Sequence, residues 1–344
     1  MESAVAIERF ARAAEILDRF AASSGVTGAA PPRRYLWTDA FAVMTWIGLH
    51  ERTGEPRYLE LAQRLIAQVH RVLGGAAPGD PHPTARGVRI GKPLPERRPH
   101  EPYDPDLEWE RDGQYYHYLT KWMHALQRAA SPSGAEHYRR WAAELAQTAH
   151  RAFAYPVGAP QRLYWKMSVD LSRPLVPSMG AHDPLDGLVE MAALGLERET
   201  QELARMCVGR DWTTDDALGA GGLLAIALRL AQLVKRGRED LRALLAQVLE
   251  DAASSVEASA PGIGGAASRR LPFRELGLAL GLHAVPPLKQ YAEVGRLERF
   301  LPLGAELEDF WLEAKHQAAP TWSGHGDINA VTLAACLLPQ GTLG

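Results

Sequence analysis

The sequence predicts an all-α fold, an (α/α)6 toroid in which six helical hairpins form a single domain over residues 1–344. Two kinds of predicted helix alternate along the chain. Segments such as 57–73 are amphipathic with one polar face, whereas segments such as 217–233 are apolar on nearly every side. Because a helix without a polar face must be enclosed by other helices, this alternation predicts an inner ring of apolar helices inside an outer ring of amphipathic helices.

The two rings are assigned from periodicity. Inner helices are expected near 38–53, 112–128, 183–195, 215–234, 273–284 and 326–338. Outer helices are expected near 56–73, 134–153, 198–208, 238–255, 287–299 and 3–22, the last of which pairs with the final inner helix. Pro286 and Pro287 make the fifth hairpin the least regular. An irregular stack of helical hairpins is the structural alternative.

Three long connections are predicted between these helices, at 74–111, 155–182 and 300–325. Inner helices of a two-layer toroid run in one direction, so their N-terminal ends and the long connections are expected on one rim. Loops longer than about 15 residues are usually functional or disordered. These loops contain Trp, Tyr, His and Arg, which favours ordered loops around a site. No alternating strand pattern is evident.

Composition limits the classes of partner. The net charge of −3 gives no overall field that would attract nucleic acid or an anionic membrane. The apolar run 217–228 is shorter than the roughly 20 residues of a membrane span. Cys207 and Cys336 stand alone in apolar helical segments, which predicts buried packing thiols. The charged N-terminal segment lacks the apolar core of a signal peptide, so a cytoplasmic location is expected. The expected partner is a small-molecule or oligosaccharide substrate, and no oligomeric state is predicted.

A tryptophan, a short polar link and an aspartate precede several inner helices. The pairs are Trp37 and Asp39, Trp109 and Asp112, Trp212 and Asp215, and Trp322 and Asp327; Trp165 precedes Asp183 at a greater distance. The simpler explanation is helix capping, because an aspartate at a helix start accepts unpaired backbone N–H groups. Capping requires neither the tryptophans nor the adjoining long loops, and their combination favours a ligand site.

Two histidines adjoin these aspartates. His182 precedes Asp183, and His325 lies between two glycines before Asp327, so both are expected at the mouth of the ring, where a histidine titrates near neutral pH. His117 is expected to be an interior histidine. Adjacent residues rarely ligate one ion, and the usual metal-binding spacings are absent, so no metal or other cofactor is predicted.

The loop before Asp112 is rich in charge. Arg89 or Lys92, flanked by glycines, is predicted to clamp an anionic group such as a carboxylate or sulfate. A solvated lid held by salt bridges is the alternative. On a helix starting at Asp112, Tyr115 and Tyr116 would share the face of that carboxylate.

The segments WTDAF, RDGQYYHYL and GHGDIN, at inner-helix starts of a chain of paired helices, resemble those of the six-hairpin (α/α)6-barrel superfamily. That superfamily includes unsaturated glucuronyl hydrolases and N-acylglucosamine 2-epimerases. The resemblance implies two aspartates at inner-helix starts for the hydrolases, where Asp39 and Asp112 correspond. It implies histidines at the same rim for the epimerases, where His182 and His325 correspond.

The first functional hypothesis is therefore a glycoside hydrolase-like enzyme, acting on a uronic acid or other anionic sugar through paired carboxylates. The predicted catalytic set is Asp39, Asp112, His182, Asp183 and His325. The predicted substrate-binding set is Arg34, Trp37, Arg89, Lys92, Trp109, Tyr116, Trp165, Lys166, Trp322 and Asp327. The alternatives are a sugar 2-epimerase or aldose–ketose isomerase that uses His182 and His325, and a non-catalytic glycan-binding toroid.

Overall fold

The computed structural model describes residues 4–155 and 161–344 of the chain. The chain divides into two compact units. The central unit comprises residues 21–208, and the terminal unit comprises residues 209–344 together with the segment up to Phe20. The prediction of one domain over 1–344 stays a prediction, and the units are described separately below. Helix α1 (Ala4–Ser23) lies mostly in the terminal unit.

The central unit is built from three helical hairpins and a short helix within a long loop. Its helices are α2 (Leu36–Thr53), α3 (Pro56–Val72), α4 (Pro105–Glu110), α5 (Tyr116–Ser133), α6 (Glu136–Phe153), α7 (Asp183–Leu194) and α8 (Glu197–Cys207). Helix α5 packs between α2 and α7, and each of these three also packs against the helix that follows it. The N-terminal halves of α2 and α7 are buried on all sides, as predicted for inner helices.

Glycines end the inner helices of this unit. Gly54, Gly134 and Gly195 follow α2, α5 and α7 with φ values of 71°, 61° and 75°. A glycine adopts this left-handed conformation without steric cost, so each helix stops and the chain turns back into its partner. Pro56 then begins α3 at a position where no intrahelical N–H donor is needed.

Five short strands accompany the helices of the central unit. They are β1 (Gln114–Tyr115), β2 (Ala154–Tyr155), β3 (Arg162–Leu163), β4 (Lys166–Met167) and β5 (Pro174–Val176). One antiparallel sheet has the order β1-β4-β5, with Tyr115 opposite Lys166, and β2 pairs with β3. Strands of two or three residues are too short to show alternation, which is why the sequence did not reveal them.

The terminal unit contains longer and shorter helices around α11. They are α9 (Ala217–Lys235), α10 (Arg242–Ser259), α11 (Pro272–Leu282), α12 (Val285–Leu288), α13 (Gly295–Glu298), α14 (Leu301–Leu312), α15 (Ala314–Gln317), α16 (Pro320–Ser323), α17 (Gly326–Leu337) and α18 (Gln340–Leu343). Helix α11 packs against α9, α14 and α17. A Cβ atom added at Gly221 of α9 would lie 2.1 Å from the carbonyl oxygen of Gly277, so glycine is required for this close helix contact.

The predicted fifth hairpin needs correction. Residues 287–299 do not form one outer helix, because the two prolines restrict helix to the short α12 and the next turn is the short α13. The partner of α11 is α14, which lies within the segment predicted as a rim loop at 300–325. The outer helix therefore starts later than predicted.

The sequence predicts that the apolar run at 217–228 is too short to span a membrane and that both cysteines are buried. The 19-residue α9 is long and apolar enough to cross a membrane by length and composition, and 61% of its most apolar window is buried inside the protein. Cys207 and Cys336 are both buried, as expected for packing thiols. Burial raises the pKa of the Cys336 thiol well above its ordinary value.

A buried histidine makes the stability of the central unit sensitive to acid. His70 Nε2 accepts a hydrogen bond of 3.1 Å from Trp122 Nε1, and burial lowers the pKa of His70 from 6.5 to about 4. Between those pH values the unfolded chain binds a proton that the folded protein does not, so stability falls as the pH falls. We expect this group to cost about 2 kcal/mol between pH 7 and pH 5.

Urea unfolding of the wild type and of His70→Gln at both pH values measures this contribution. The glutamine retains an acceptor for the Trp122 N–H group but cannot be protonated. The variant should lose less stability than the wild type between pH 7 and pH 5. Equal losses in the two proteins would show that His70 does not cause the acid sensitivity.

Candidate active site

Aromatic side chains gather where α2 and α5 of the central unit begin. Their rings are in contact with one another through pairs of neighbours, and together they form what we call the aromatic wall. It consists of Tyr35, Trp37, Trp109, Tyr115, His117, Tyr118 and Trp165. The wall draws on both helix starts, on α4 and on the central sheet, so segments distant in sequence build one surface.

Several rings of the wall are nearly parallel. Trp109 stacks on Trp165 with ring centroids 5.5 Å apart, and Trp165 lies 5.0 Å from Tyr115. His117 stacks on Tyr115 at 5.4 Å with planes inclined by 20°. Trp37 lies edge-on to His117 at 6.3 Å. Such rings offer apolar faces together with polar edges, a combination that suits ligands with both apolar and hydroxyl-bearing surfaces.

The wall is partly open to solvent. Trp109 is 52% exposed, whereas Tyr115 is only 2% exposed and supports the other rings from behind. Trp37, His117 and Trp165 are half-buried. Backbone hydrogen bonds from Trp165 N to Val176 O (3.2 Å) and from Tyr116 N to Trp165 O (3.4 Å) fix this part of the wall to β5 and α5. The accessible ring surface is therefore held by rigid elements.

His117 carries the titratable group most suited to chemistry on this surface. Its Nδ1 atom lies 3.5 Å from Asp183 Oδ1, with the histidine side chain 25% exposed and the aspartate 5% exposed. The Nδ1 atom itself is buried, so the exposed part of the imidazole lies elsewhere on the ring. Asp183 is oriented by a hydrogen bond of 3.2 Å from the Gly180 N–H group. A carboxylate beside one ring nitrogen can orient an imidazole.

A pair of tyrosine hydroxyls lies beside this histidine. Tyr35 Oη and Tyr118 Oη are 2.6 Å apart, and the Tyr118 ring is edge-on to His117 with centroids 5.0 Å apart. Burial raises the pKa of both phenols, so both stay protonated at neutral pH. The pair can donate one hydrogen bond beyond the one that its members share.

Lys92 is a cationic side chain that lies against the rings of the wall. Its Nζ atom lies 4.8 Å from the centroid of Trp109 and donates a hydrogen bond to the Trp109 carbonyl oxygen. Burial, and next the nearby Lys166 ammonium, lower the pKa of Lys92 to about 8, although Glu110 opposes the shift. Lys92 therefore remains largely protonated at pH 7.

Asp39 stabilises the start of α2. Its Oδ2 atom accepts a hydrogen bond of 3.1 Å from the Tyr35 N–H group, and Oδ1 lies 3.3 Å from Arg34 Nη1. Both side chains of this ion pair are buried. Asp39 therefore does not occupy the N-cap position predicted for it, which Tyr35 holds, but lies in the first turn and bonds back to the N–H group of that residue. Arg34 is its buried counter-ion rather than an accessible ligand for substrate.

Asp112 secures the long loop that precedes it. Its Oδ1 atom accepts a hydrogen bond of 3.0 Å from Gly91 N, and its Oδ2 atom pairs with the Arg89 guanidinium. Arg89 also donates to the Val72 carbonyl oxygen at 3.1 Å. These contacts agree with the alternative prediction that the charged loop before Asp112 is a lid held by salt bridges. They also engage the Arg89 side chain, which the sequence predicts to clamp an anion.

Two predicted substrate-binding residues lie in the interior. Lys166 is fully buried and donates to Glu108 O (2.6 Å), Glu108 Oε1 (2.9 Å) and Arg111 O (2.8 Å), which uses all three hydrogens of its ammonium group. Tyr116 is also fully buried and packs against Phe153. The geometry gives both residues a supporting role.

The predicted residues of the terminal unit lie at helix starts. Trp322 is buried and stacks on Trp311 at 5.6 Å. His325 is exposed at the start of α17, with its ring 6.2 Å from Phe273, and Asp327 lies exposed in the first turn. The residue that caps α9 is Asp216, which accepts from Leu218 N and Gly219 N, and not the preceding Asp215.

Of the predicted site residues, the structure brings Trp37, Lys92, Trp109, Trp165 and Asp183 together at the wall, and His182 directly precedes Asp183. The catalytic and binding roles of the predicted residues stay predictions. Sequence reasoning missed His117 because it started the inner helix at Asp112. The helix starts at Tyr116, so the residues that share one face of it could not be assigned correctly by counting from Asp112.

Gly113 explains the late start of α5. Its φ is 151°, and a Cβ atom there would lie 2.8 Å from both Lys166 Cε and the Met167 carbonyl oxygen. The glycine therefore admits strand β4 beside the chain. Within residues 4–155 and 161–344, no group of three or more His, Cys, Asp or Glu side chains is placed to hold a metal ion.

No protein-family model matches the chain, and no curated protein resembles it significantly. Several solved structures do. An alpha-1,6-mannanase from Salegentibacter sp. matches with TM-score 0.58 and 12% identity, over 97% of this chain and 98% of that one. A cellobiose 2-epimerase from Spirochaeta thermophila matches with TM-score 0.58 and 12% identity, over 94% and 97%. A D-mannose isomerase matches with TM-score 0.60 and 11% identity, over 98% and 99%.

The chain has the fold of the (α/α)6-barrel sugar enzymes. This confirms the fold class predicted from the alternation of helices. By name, the three neighbours are a mannanase, an epimerase and an isomerase.

Proposed function

We propose that this protein is a sugar-processing enzyme that binds a monosaccharide, or the end of an oligosaccharide, on the aromatic wall. Support comes from the half-exposed rings of Trp37, Trp109 and Trp165, which present apolar faces beside titratable groups. The sugar-processing enzymes that share the fold support the same class of substrate. The polar partners for sugar hydroxyls are His117, Lys92 and the Tyr35–Tyr118 hydroxyl pair.

The reaction that the geometry supports best is aldose–ketose isomerisation by proton transfer. The observation that carries it is the half-exposed His117 imidazole with Asp183 3.5 Å behind it. His117 would remove the proton from the carbon beside the open-chain carbonyl, and the electron pair of that C–H bond would form the C=C bond of an enediolate. A hydroxyl of the Tyr35–Tyr118 pair would donate to the oxygen that becomes negative.

The same base acts in the second half of the reaction, because the proposed site has one base on one side of the sugar. His117 would return the proton to the former carbonyl carbon. The proton of the hydroxyl on the neighbouring carbon would pass to the negative oxygen through the Tyr35–Tyr118 pair, so that this hydroxyl becomes the carbonyl of the ketose. Epimerisation would instead require a second group that delivers a proton to the opposite face of the same carbon, and His117 is the one histidine among the rings that define the wall. Asp183 acts as a positioning residue that orients the imidazole through Nδ1.

Hydrolysis is the second candidate, with a different pair of carboxylates from the one predicted. Asp39 and Asp112 are buried, and each is held by an arginine and a backbone N–H group, which disfavours a direct role for either at a glycosidic bond. The Salegentibacter mannanase is inactive when two adjacent aspartates are replaced. This chain has adjacent aspartates at Asp215 and Asp216, where α9 begins; Asp216 caps the helix and pairs with Arg274, whereas Asp215 is exposed.

Product analysis separates the candidates. Purified protein is incubated with free aldoses, including mannose and glucose, and with alpha-1,6-linked mannotriose, and the products are resolved by chromatography. Isomerisation predicts a ketose from a free aldose and no new reducing ends from the trisaccharide. Release of mannose from mannotriose, lost in Asp215→Asn, would establish hydrolysis instead. Binding without turnover in either assay would leave the glycan-binding alternative.

A further inference from the structure

A row of paired polar side chains runs between α5 and α7, and it starts at the His117–Asp183 pair. One turn further along both helices, Lys121 Nζ lies 2.6 Å from Asp186 Oδ1. These residues are four positions apart on α5 and three positions apart on α7, so they lie on the same face of each helix. We call Lys121 and Asp186 the second pair, which is the direct neighbour of the proposed base and its carboxylate.

The second pair has hydrogen-bonding capacity that the protein does not use. The Lys121 ammonium has three hydrogens, and across the described ranges 4–155 and 161–344 it donates one hydrogen bond, to Asp186 Oδ1. The Lys121 side chain is 24% exposed and the Asp186 side chain is 12% exposed, so solvent reaches the pair. A ligand hydroxyl can both accept from the ammonium and donate to the carboxylate, which makes it a suitable partner for this pair.

The row becomes less accessible one turn beyond the second pair. Glu190 on α7 accepts a hydrogen bond of 2.6 Å from Gln127 Nε2, and its Oε1 atom lies 3.8 Å from His124 Nδ1. The side chains of His124 and Glu190 are only 10% and 7% exposed. The more accessible part of the row therefore runs from His117 to the second pair, a rise of about 6 Å along the axis of α5.

The charges along the row favour a neutral ligand. Helix α7 contributes the carboxylates of Asp183, Asp186 and Glu190, and α5 places one lysine and two histidines opposite them. A carboxylate or phosphate on the ligand would add negative charge beside these three acidic side chains. A hydroxyl group adds none.

We propose that the second pair binds the hydroxyl tail of a neutral open-chain aldose of five or six carbons, whose carbonyl end lies beside His117. Six carbons joined by bonds of about 1.5 Å span roughly 6 Å when extended, which matches the rise from His117 to Lys121. Lys121 donates to a tail hydroxyl, and Asp186 accepts from one. The inference rests on the proposed binding of a sugar beside His117, but not on the reaction that follows. A three-carbon sugar would be too short to reach the second pair.

Binding of unreactive polyols to the intact chain tests this inference without turnover. Titration calorimetry compares mannitol, with six carbons, with glycerol and with glucarate, which carries a carboxylate at either end. Mannitol should bind the wild type roughly tenfold or more tightly than glycerol does, because hydrogen bonds to charged groups add affinity. Glucarate should bind more weakly than mannitol. Equal affinities for mannitol and glycerol, or tighter binding of glucarate, would overturn the inference.

A double variant assigns the difference in affinity to the second pair. Lys121→Met with Asp186→Leu removes both charges together, so neither is left without its partner. The affinity for mannitol should then fall to that for glycerol, which should itself stay unchanged. Arg128→Met is the matched control, because Arg128 lies on α5 two turns beyond Lys121 and pairs with Glu51. This control should bind mannitol as the wild type does.

The outcomes separate this inference from the proposed isomerisation. If the double variant binds mannitol as tightly as the wild type, the second pair has no part in binding, even where the wild type forms a ketose. If the affinity falls in the variant but no aldose is isomerised, the binding role of the second pair stands and the proposed reaction fails. A wild type that binds none of the polyols would overturn both.

Discussion

His117→Gln is expected to lower kcat for isomerisation by about 10²–10⁴-fold, the usual contribution of a positioned general base. The glutamine retains a polar side chain of similar size, and the rings of Trp37, Trp165 and Tyr118 around it remain. The affinity for sugar should therefore change little. Initial rates of ketose formation, together with a fluorescence titration of the wall tryptophans, measure the two quantities separately.

His137→Gln is the matched control. His137 lies on α6, with its ring 4.5 Å from Trp141 and 4.2 Å from Tyr138, and belongs to no part of the wall. Its replacement should leave kcat unchanged. Asp183→Asn should give a smaller loss than His117→Gln, because it removes the carboxylate that orients the imidazole but leaves the base itself in place. Full activity in His117→Gln would remove the histidine from the mechanism.

Asp39→Asn is expected to destabilise the protein by about 3–5 kcal/mol, because it leaves the Arg34 charge buried without its counter-ion. Both side chains are almost completely buried, at 0% and 1% exposure. Urea unfolding gives the free energy, and the activity is then normalised to the folded fraction. Because Asp39 anchors the start of α2, kcat per folded molecule should remain near that of the wild type.

Asp309→Asn is the control for this substitution. Asp309 is exposed on α14, and changes at such positions usually alter stability by less than about 0.5 kcal/mol. Replacing the whole pair, as Arg34→Met with Asp39→Leu, should recover part of the loss because no isolated charge remains. A stable Asp39→Asn protein without activity would restore the catalytic role that the sequence predicted for this aspartate.

Much of the helical fold could be predicted from periodicity and from the residues that end helices. The predicted helix at 38–53 is observed as Leu36–Thr53, and the one at 326–338 as Gly326–Leu337. Glycine or proline marks several of these ends, which is local information. The start of α5 could not be predicted in this way, because Gly113 and β1 are determined by contact with Lys166, far away in the sequence.

The sequence allowed the types of residue at the site to be predicted, but not the role of each residue. The sequence distinguishes Trp37, Trp109 and Trp165 because each precedes an aspartate at a predicted inner-helix start, and their rings do meet at the wall. The sequence could not show that Asp39 is neutralised by Arg34 inside the protein, since burial is a tertiary property. Nor could it show that His117 faces Asp183 across two helices.

The most direct test of the proposed proton transfer is deuterium incorporation from solvent. Wild-type protein is incubated with an aldose in D2O, and both the ketose and the recovered aldose are analysed by NMR. Removal of the proton by His117 and its partial exchange with solvent predict deuterium at the former carbonyl carbon of the ketose, and none when His117→Gln replaces the wild type. Ketose formed with no carbon-bound deuterium at all, as a direct hydride shift would give, would contradict the proposal.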